Sequence, residues 1–167
     1  MGNDTSTPIA AICLLSSERV NGSVYFYQES FSSKVRVEFR LTGEPGKKHA
    51  IHIHEFGDMR KGCDSLGAHY NPENTTHGSL EVVGMERHSG DLINNIKFND
   101  RGNFEFVYED DMLNLYPYSE NILGRSVVIH EKEDDLGLGK GDLKEESLKT
   151  GNAGKRICCG IIGLCKV

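Results

Sequence analysis

The chain has no tryptophan, only 4 prolines, and no apolar run approaching the roughly 18 residues that a membrane-spanning helix requires. Its 25 acidic residues outnumber 19 basic ones, for a formal charge of -6, and no stretch gathers Lys and Arg into a cluster. Nucleic acids and anionic membranes are bound through basic faces, so neither is expected as a partner. The opening MGNDTSTP is polar and lacks the charged start and apolar stretch of a secretory signal, so a cytoplasmic protein is expected. MGNDTS also fits the loose glycine-plus-serine pattern of a myristoylation acceptor, and reads equally as a frayed tail. No CxxC pair occurs among the 5 cysteines, which leaves a cysteine zinc site or a thioredoxin-like motif without support. In a reducing compartment free thiols are the default, with Cys13 acting as a small hydrophobe.

With 37% hydrophobic residues and 19 glycines, 167 residues suit one turn-rich domain around one core. Residues 1–8 are expected to form a flexible tail and residues 9–167 the domain. Alternating or β-rich runs predict strands at 9–15, 20–28, 34–41, 48–54, 91–98, 103–109, 126–130 and 156–164. Val35, Val37, Phe39 and Leu41 give the clearest period of two, and no long helical period competes. Eight short strands imply a sandwich or a closed antiparallel barrel. The gaps after the fourth and seventh strands, about 35 and about 25 residues, are long for structureless loops, which implies that function or cross-links order them.

Those loops hold most of the histidines. Residues two apart on a strand share a face, so His52 and His54 in HAIHIHEF point together while Ile51 and Ile53 point into the interior. Alone, the pair reads equally as a polar strand face. His69, His77 and His88 follow in the first long loop and His130 ends the seventh strand; imidazoles at such spacing suit zinc and copper. His49, an odd number of positions from His52, faces the other way and is expected to make a structural hydrogen bond.

The motifs HIHEFGD, AHYNP, RHSGDL, VIHEKEDDLG and TGNAGKR, in this order from AICLL to GIIGL, resemble the copper/zinc superoxide dismutase family over nearly the whole chain. The resemblance implies an all-β, eight-stranded Greek-key barrel, immunoglobulin-like, with two long functional loops. It implies an enzyme that converts superoxide to oxygen and hydrogen peroxide, with one copper and one zinc ion per subunit. Carried over residue by residue, His52, His54, His69 and His130 would hold copper, and His69, His77, His88 and Asp91 zinc, His69 bridging the two. Asp134 would link His52 to His77 from the second layer of contacts; without the resemblance it reads as one solvated charge in an acidic loop. Arg156, Thr150 and Lys149 would stand at the substrate channel, although such residues are ordinarily solvated surface groups. Cys63 and Cys159 would form an intrachain disulfide, with Cys158 as a neighbour able to exchange.

Relative to the usual family spacing, two extra residues lie between His77 and His88, and Lys155 replaces a small or uncharged residue before Arg156. The resemblance also implies a homodimer through Ile12, the Leu123-Gly124 turn and Ile161 to Leu164, and admits a copper chaperone as partner. Competing readings are a metal-binding relative without turnover, such as the dismutase-like domain of a copper chaperone, and a structural zinc sandwich.

Overall fold

A computed structural model describes residues 7–117 and 120–167. Most of the expected tail, including MGNDTS, lies outside the described residues. Among the described residues nine strands form: β1 (Ile9–Ser16), β2 (Val20–Gln28), β3 (Val35–Gly43), β4 (Lys48–His54), β5 (Arg60–Cys63), β6 (Asn95–Lys97), β7 (Asn103–Asp110), β8 (Ser126–His130) and β9 (Arg156–Cys165). All but the short β5 join one antiparallel sheet in the order β6-β4-β8-β9-β1-β2-β3-β7, which curls into a nearly closed barrel. Its edge strands, β6 and β7, follow one another in the chain, and the Asn99 carbonyl accepts the Gly102 N–H in the turn between them.

The core is a single cluster running from Ala11 to Ile162. Val35, Val37, Phe39 and Leu41 of β3 enter it with Val24 and Phe26 of β2 and Ile51 and Ile53 of β4, as alternation requires. Burying side chains of this size contributes about 1.5–3 kcal/mol each, an upper figure because unfolded chains are already partly compact.

Three local departures from the sequence expectation have physical causes. The strand expected at 91–98 is reduced to Asn95–Lys97, because a 3-10 turn occupies Ser89–Asp91 and Leu92 and Asn94 adopt φ of 49° and 58°. β5 was not expected, since RKGC has no alternation to display. Nor was helix α1 (Lys144–Thr150), whose two turns are too short for a helical period to show. The helix ends on Gly151, in the left-handed region at φ 66°, with its N–H on the Ser147 carbonyl.

The long loops are tied down by backbone bonds: Glu55 N–H to the Ala68 carbonyl, Tyr70 N–H to Ile53, Gly90 N–H to Tyr70, and His77 N–H to Leu148, which joins one loop to the other. The Cys63–Cys159 disulfide spans 96 positions, a loop for which the chain-entropy account gives roughly 4–5 kcal/mol. Cys158 faces the opposite way and is buried in the core, so only Cys159 meets Cys63. Burial holds the Cys13 thiol up at about 12, consistent with an inert apolar role.

Candidate metal centre

Six of the seven histidines, with Asp91, converge against the face of β4 and β8 opposite the core residues Ile51 and Ile53, all of them buried. β4 supplies His52 and His54 on one face. His130 ends β8 at a register shift against β9, where a bulge re-aims its ring. An isolated bridge between His54 and His69 brings the loop ring against β4. His49 lies on the other face and donates from Nδ1 to the His130 carbonyl at 2.9 Å, fixing the backbone of that residue.

The hydrogen bonds set which ring nitrogen carries a proton. His54 Nδ1 donates to the Gly67 carbonyl at 2.9 Å and His130 Nδ1 to Gly154 at 3.1 Å, which leaves their Nε2 lone pairs facing each other 3.2 Å apart. His52 donates from Nε2 to Asp134 Oδ2 at 2.6 Å, which frees Nδ1. Among the described residues four buried side-chain polar atoms have no hydrogen-bond partner, and two of them are His52 Nδ1 and His69 Nε2. A buried lone pair without a partner costs about 1–3 kcal/mol, so two of them beside two mutually repelling lone pairs form a set that a cation would satisfy.

On the other side of His69, Asp91 Oδ1 lies 3.1 Å from His69 Nδ1, 2.8 Å from His77 Nδ1 and 3.1 Å from His88 Nδ1. Asp91 Oδ2 accepts the backbone N–H groups of Gly78 and His88, which fixes the carboxylate. Three imidazoles and one carboxylate suit a tetrahedral zinc site. The donor atoms of each four-residue set lie within 4.8 Å of one another, and His69 belongs to both.

Asp134, buried, ties the two sets together: Oδ2 accepts from His52 and Oδ1 from His77 Nε2 at 2.9 Å. His52, His77 and Asp134 are also close enough to be a third donor group, but both Nε2 atoms point N–H at the carboxylate, so a hydrogen-bonded link is the better reading. Gly151 is needed here twice over. Its φ of 66° disfavours a side chain, and an added Cβ would lie 2.3 Å from Asp134 Oδ1 and 2.6 Å from His77 Nε2.

Burial drives His52, His54, His69 and His130 below the ordinary imidazole range, so their rings are neutral at pH 7. His77 differs: burial would lower it, but Asp134 and Asp91 together hold it up at about 9. Asp91 is held well below the carboxylate range because the hydrogen bonds from His69, His77 and His88 outweigh burial. The metal-free protein should therefore be most stable near pH 6.5. Below that, the unfolded chain takes up protons that the four depressed rings refuse, and between about 6.5 and 9 the stabilisation from His77 is lost as pH rises. Thermal melts of metal-stripped protein across this range check it; stability rising steadily from pH 6.5 to 9 would contradict the account.

A cavity of about 400 Å³ opens onto the first donor set, lined among others by His54, His69, His130, Lys132, Thr150 and Arg156. The Arg156 guanidinium donates to the carbonyls of Cys63 at 2.7 Å and Gly67 at 2.5 Å, which hold its charge at the wall. Thr150 Oγ1 donates to Glu146 Oε1 at 2.7 Å. Lys149 is exposed, paired with Glu145 at 2.7 Å, and is not among the residues lining this cavity. Lys132, for which the sequence offers no signal, lines it instead; it lies in the bend just after β8, where strand alternation no longer applies. Lys155 is exposed and outside the lining, and the two extra residues fall in a loop whose Val83 is fully exposed while His77 and His88 stay buried.

The profile of the copper/zinc superoxide dismutase family matches residues 20–162. The extracellular Cu-Zn superoxide dismutase of Drosophila melanogaster is 44% identical over 94% of this chain and 86% of its own length. The Cu-Zn superoxide dismutase of Schizosaccharomyces pombe is 43% identical over 93% and 97%, and Cu-Zn superoxide dismutase A of Xenopus laevis 44% over 94% and 99%. Among solved structures, the crystal structure of the clock protein EA4 superposes with a TM-score of 0.83 at 40% identity, covering 99% of this chain and 100% of that one. By its matched length, its relatives and the two histidine sets that share His69, the chain belongs to the copper/zinc superoxide dismutase family.

Proposed function

We propose that His52, His54, His69 and His130 hold copper and that His69, His77, His88 and Asp91 hold zinc, one ion of each per chain, in an enzyme that converts superoxide to oxygen and hydrogen peroxide. The observation that carries this is the pair of partnerless ring nitrogens, His52 Nδ1 and His69 Nε2, aimed into one buried donor set while His69 Nδ1 belongs to the other. Bound copper would supply a one-electron redox couple, and zinc a charge that does not change valence.

The chain's own part is binding, orientation and proton handling. The second-layer bonds to Gly67, Gly154 and Asp134 fix the tautomers, so three lone pairs stand ready without rearrangement. Arg156, always charged and forked, holds an anion in the cavity beside His54 and His130. Lys132 adds a second cation on the wall, and Glu146 a counter-charge. The overall charge of -6 does not oppose this, because a cleft focuses its local field, an effect for which superoxide dismutases are the familiar case. Once released as a donor, His69 Nε2 would take up a proton and pass it toward peroxide. Residues 9–167 act as one unit on this reading.

Copper and zinc content per chain, measured with dismutase activity, tests the assignment. Protein carrying both metals and no activity would sink it, as would binding of zinc alone. An Arg156→Ala variant should keep its metals and lose about 10- to 100-fold in rate, with a flatter salt response.

We infer a homodimer from exposed apolar groups on β1 and β9: Leu14 is two-thirds exposed, Ile161 is a third exposed, and Gly163 leaves open space next to its β1 partner Ile12. Sedimentation should give about twice 18.5 kDa, and Ile161→Lys the single-chain mass. We infer a cytoplasmic location from the free thiols Cys13, Cys158 and Cys165, although the Drosophila relative is extracellular by name. Secretion of the tagged full-length protein would refute it.

A further inference from the structure

Met59 occupies a position that the dismutase reading does not use. Its Sδ lies 3.8 Å from Cys159 Sγ, and Cys159 is bonded to Cys63, so three sulfurs gather at the junction of the first long loop with β9. The loop presents Met59 and Cys63 from opposite ends of a tight turn, in which the Gly62 N–H donates to the Met59 carbonyl at 3.0 Å. Gly62, at φ 61°, makes that turn, and Ser65 Oγ braces it by donating to the Asp58 carbonyl at 2.6 Å. None of these bonds depends on the disulfide. Met59 is 43% exposed and both half-cystines are half-buried, so the cluster is reachable from solvent.

We infer that reduction of the Cys63–Cys159 bond creates a three-sulfur site for a soft monovalent metal ion, copper(I), held by Cys63 Sγ, Cys159 Sγ and Met59 Sδ. Thiolate and thioether ligands select copper(I) over harder ions. Metal–thiolate bonds of about 2.3 Å set at 120° would place sulfurs about 4.0 Å apart. The Met59–Cys159 spacing of 3.8 Å already nearly meets that figure, and Cys63 has to withdraw from Cys159 once the covalent bond is gone. The other free thiols do not compete in the same way: Cys13 and Cys158 are buried, and only Cys165 is half-exposed. The site is separate from the histidine sets, and its existence does not require them to be catalytic.

The chemistry balances with a phosphine as reductant. The phosphine takes up the oxygen of one water molecule as its oxide, and its electron pair with the two water protons converts the disulfide into two thiols. Copper(I) then displaces both thiol protons to solvent as it binds, with no change in its own valence.

The test uses the full chain, its histidine donors first filled with zinc, in a Cys165→Ser background, reduced anaerobically with a water-soluble phosphine. Copper(I) is titrated against bicinchoninate as competing chelator. The reduced chain should take up one equivalent and the oxidised chain none. X-ray absorption should show three sulfur neighbours, falling to two in Met59→Leu with affinity lowered about tenfold or more. Met59→Leu is close in volume at an exposed position, so the fold should persist, and an unchanged far-UV spectrum verifies that. Equal uptake by oxidised and reduced chains, nitrogen-only scattering, or an unaltered affinity and sulfur count in Met59→Leu would each overturn the site.

Discussion

A His69→Ala variant should lose dismutase activity by about 10²- to 10⁴-fold, the range expected when a positioned proton carrier is removed. The barrel should survive, because His69 sits on a loop joined to β4 by backbone bonds, and the Ile53 carbonyl still accepts the Tyr70 N–H. What goes is the one ring whose two nitrogens face two donor sets: Nε2 toward His52, His54 and His130, and Nδ1 toward Asp91, 3.1 Å away. His52, His54 and His130 would remain with their tautomers fixed, so copper should still bind, more weakly. Zinc would lose one of four donors, leaving His77, His88 and Asp91. The decisive measurement is activity per bound copper. If that ratio equals the unaltered protein's, His69 is a scaffold residue and the shared-ring account is wrong.

How much of this could be read before the structure depends on the range of the interaction. Strands β2 and β3 declare themselves through period-two burial, as in Val35, Val37, Phe39 and Leu41, whereas β4 and β8 are buried on both faces and show only as apolar or β-branched runs. His52 and His54 were legible as a pair because the strand itself aligns them. Asp134 was not, since five acidic residues crowd the neighbouring segments and nothing local distinguishes the one that turns inward. Its role depends on Asn94 and Asn95, one donating to the carboxylate at 3.2 Å and the other pairing with its backbone on both sides. Arg156 is similar: residue type gives a charge, but the two loop carbonyls that aim it are about ninety positions away, beyond any local pattern. Lys149 is a different case, in which motif position suggests the channel mouth while a helical i,i+4 pair with Glu145 holds the ammonium along the helix surface. The short helix and β5 escaped because their lengths fall below one readable period.

Asp134→Asn should weaken binding at both donor sets by about 10- to 100-fold, although residue 134 touches neither ion. The carboxylate accepts two imidazole N–H groups, one per oxygen, and so holds His52 with Nε2 protonated and Nδ1 free, and His77 with Nε2 protonated and Nδ1 turned to Asp91. An asparagine offers one oxygen. Its amide nitrogen would face an N–H on one side, and relief requires that ring to turn or to shift its proton to Nδ1, which removes the lone pair from the donor set. Asn94 and Leu136 N–H also lose strength in their bonds to the former carboxylate, so the loop from 131 to 143 should loosen as well. Loss of charge adds a second effect: His77, held up at about 9 by two carboxylates, would keep only Asp91, and its pKa should fall toward the ordinary imidazole range. The two effects separate by measurement. If charge dominates, a metal-free Asp134→Asn protein should show a flatter loss of stability between pH 6.5 and 9 with zinc affinity little changed. If tautomer control dominates, zinc and copper affinity should fall together at pH 7, which is the expected result because each set draws one of its rings from the same carboxylate. Zinc weakened alone, with copper affinity intact, would show that His52 does not need Asp134 to present Nδ1.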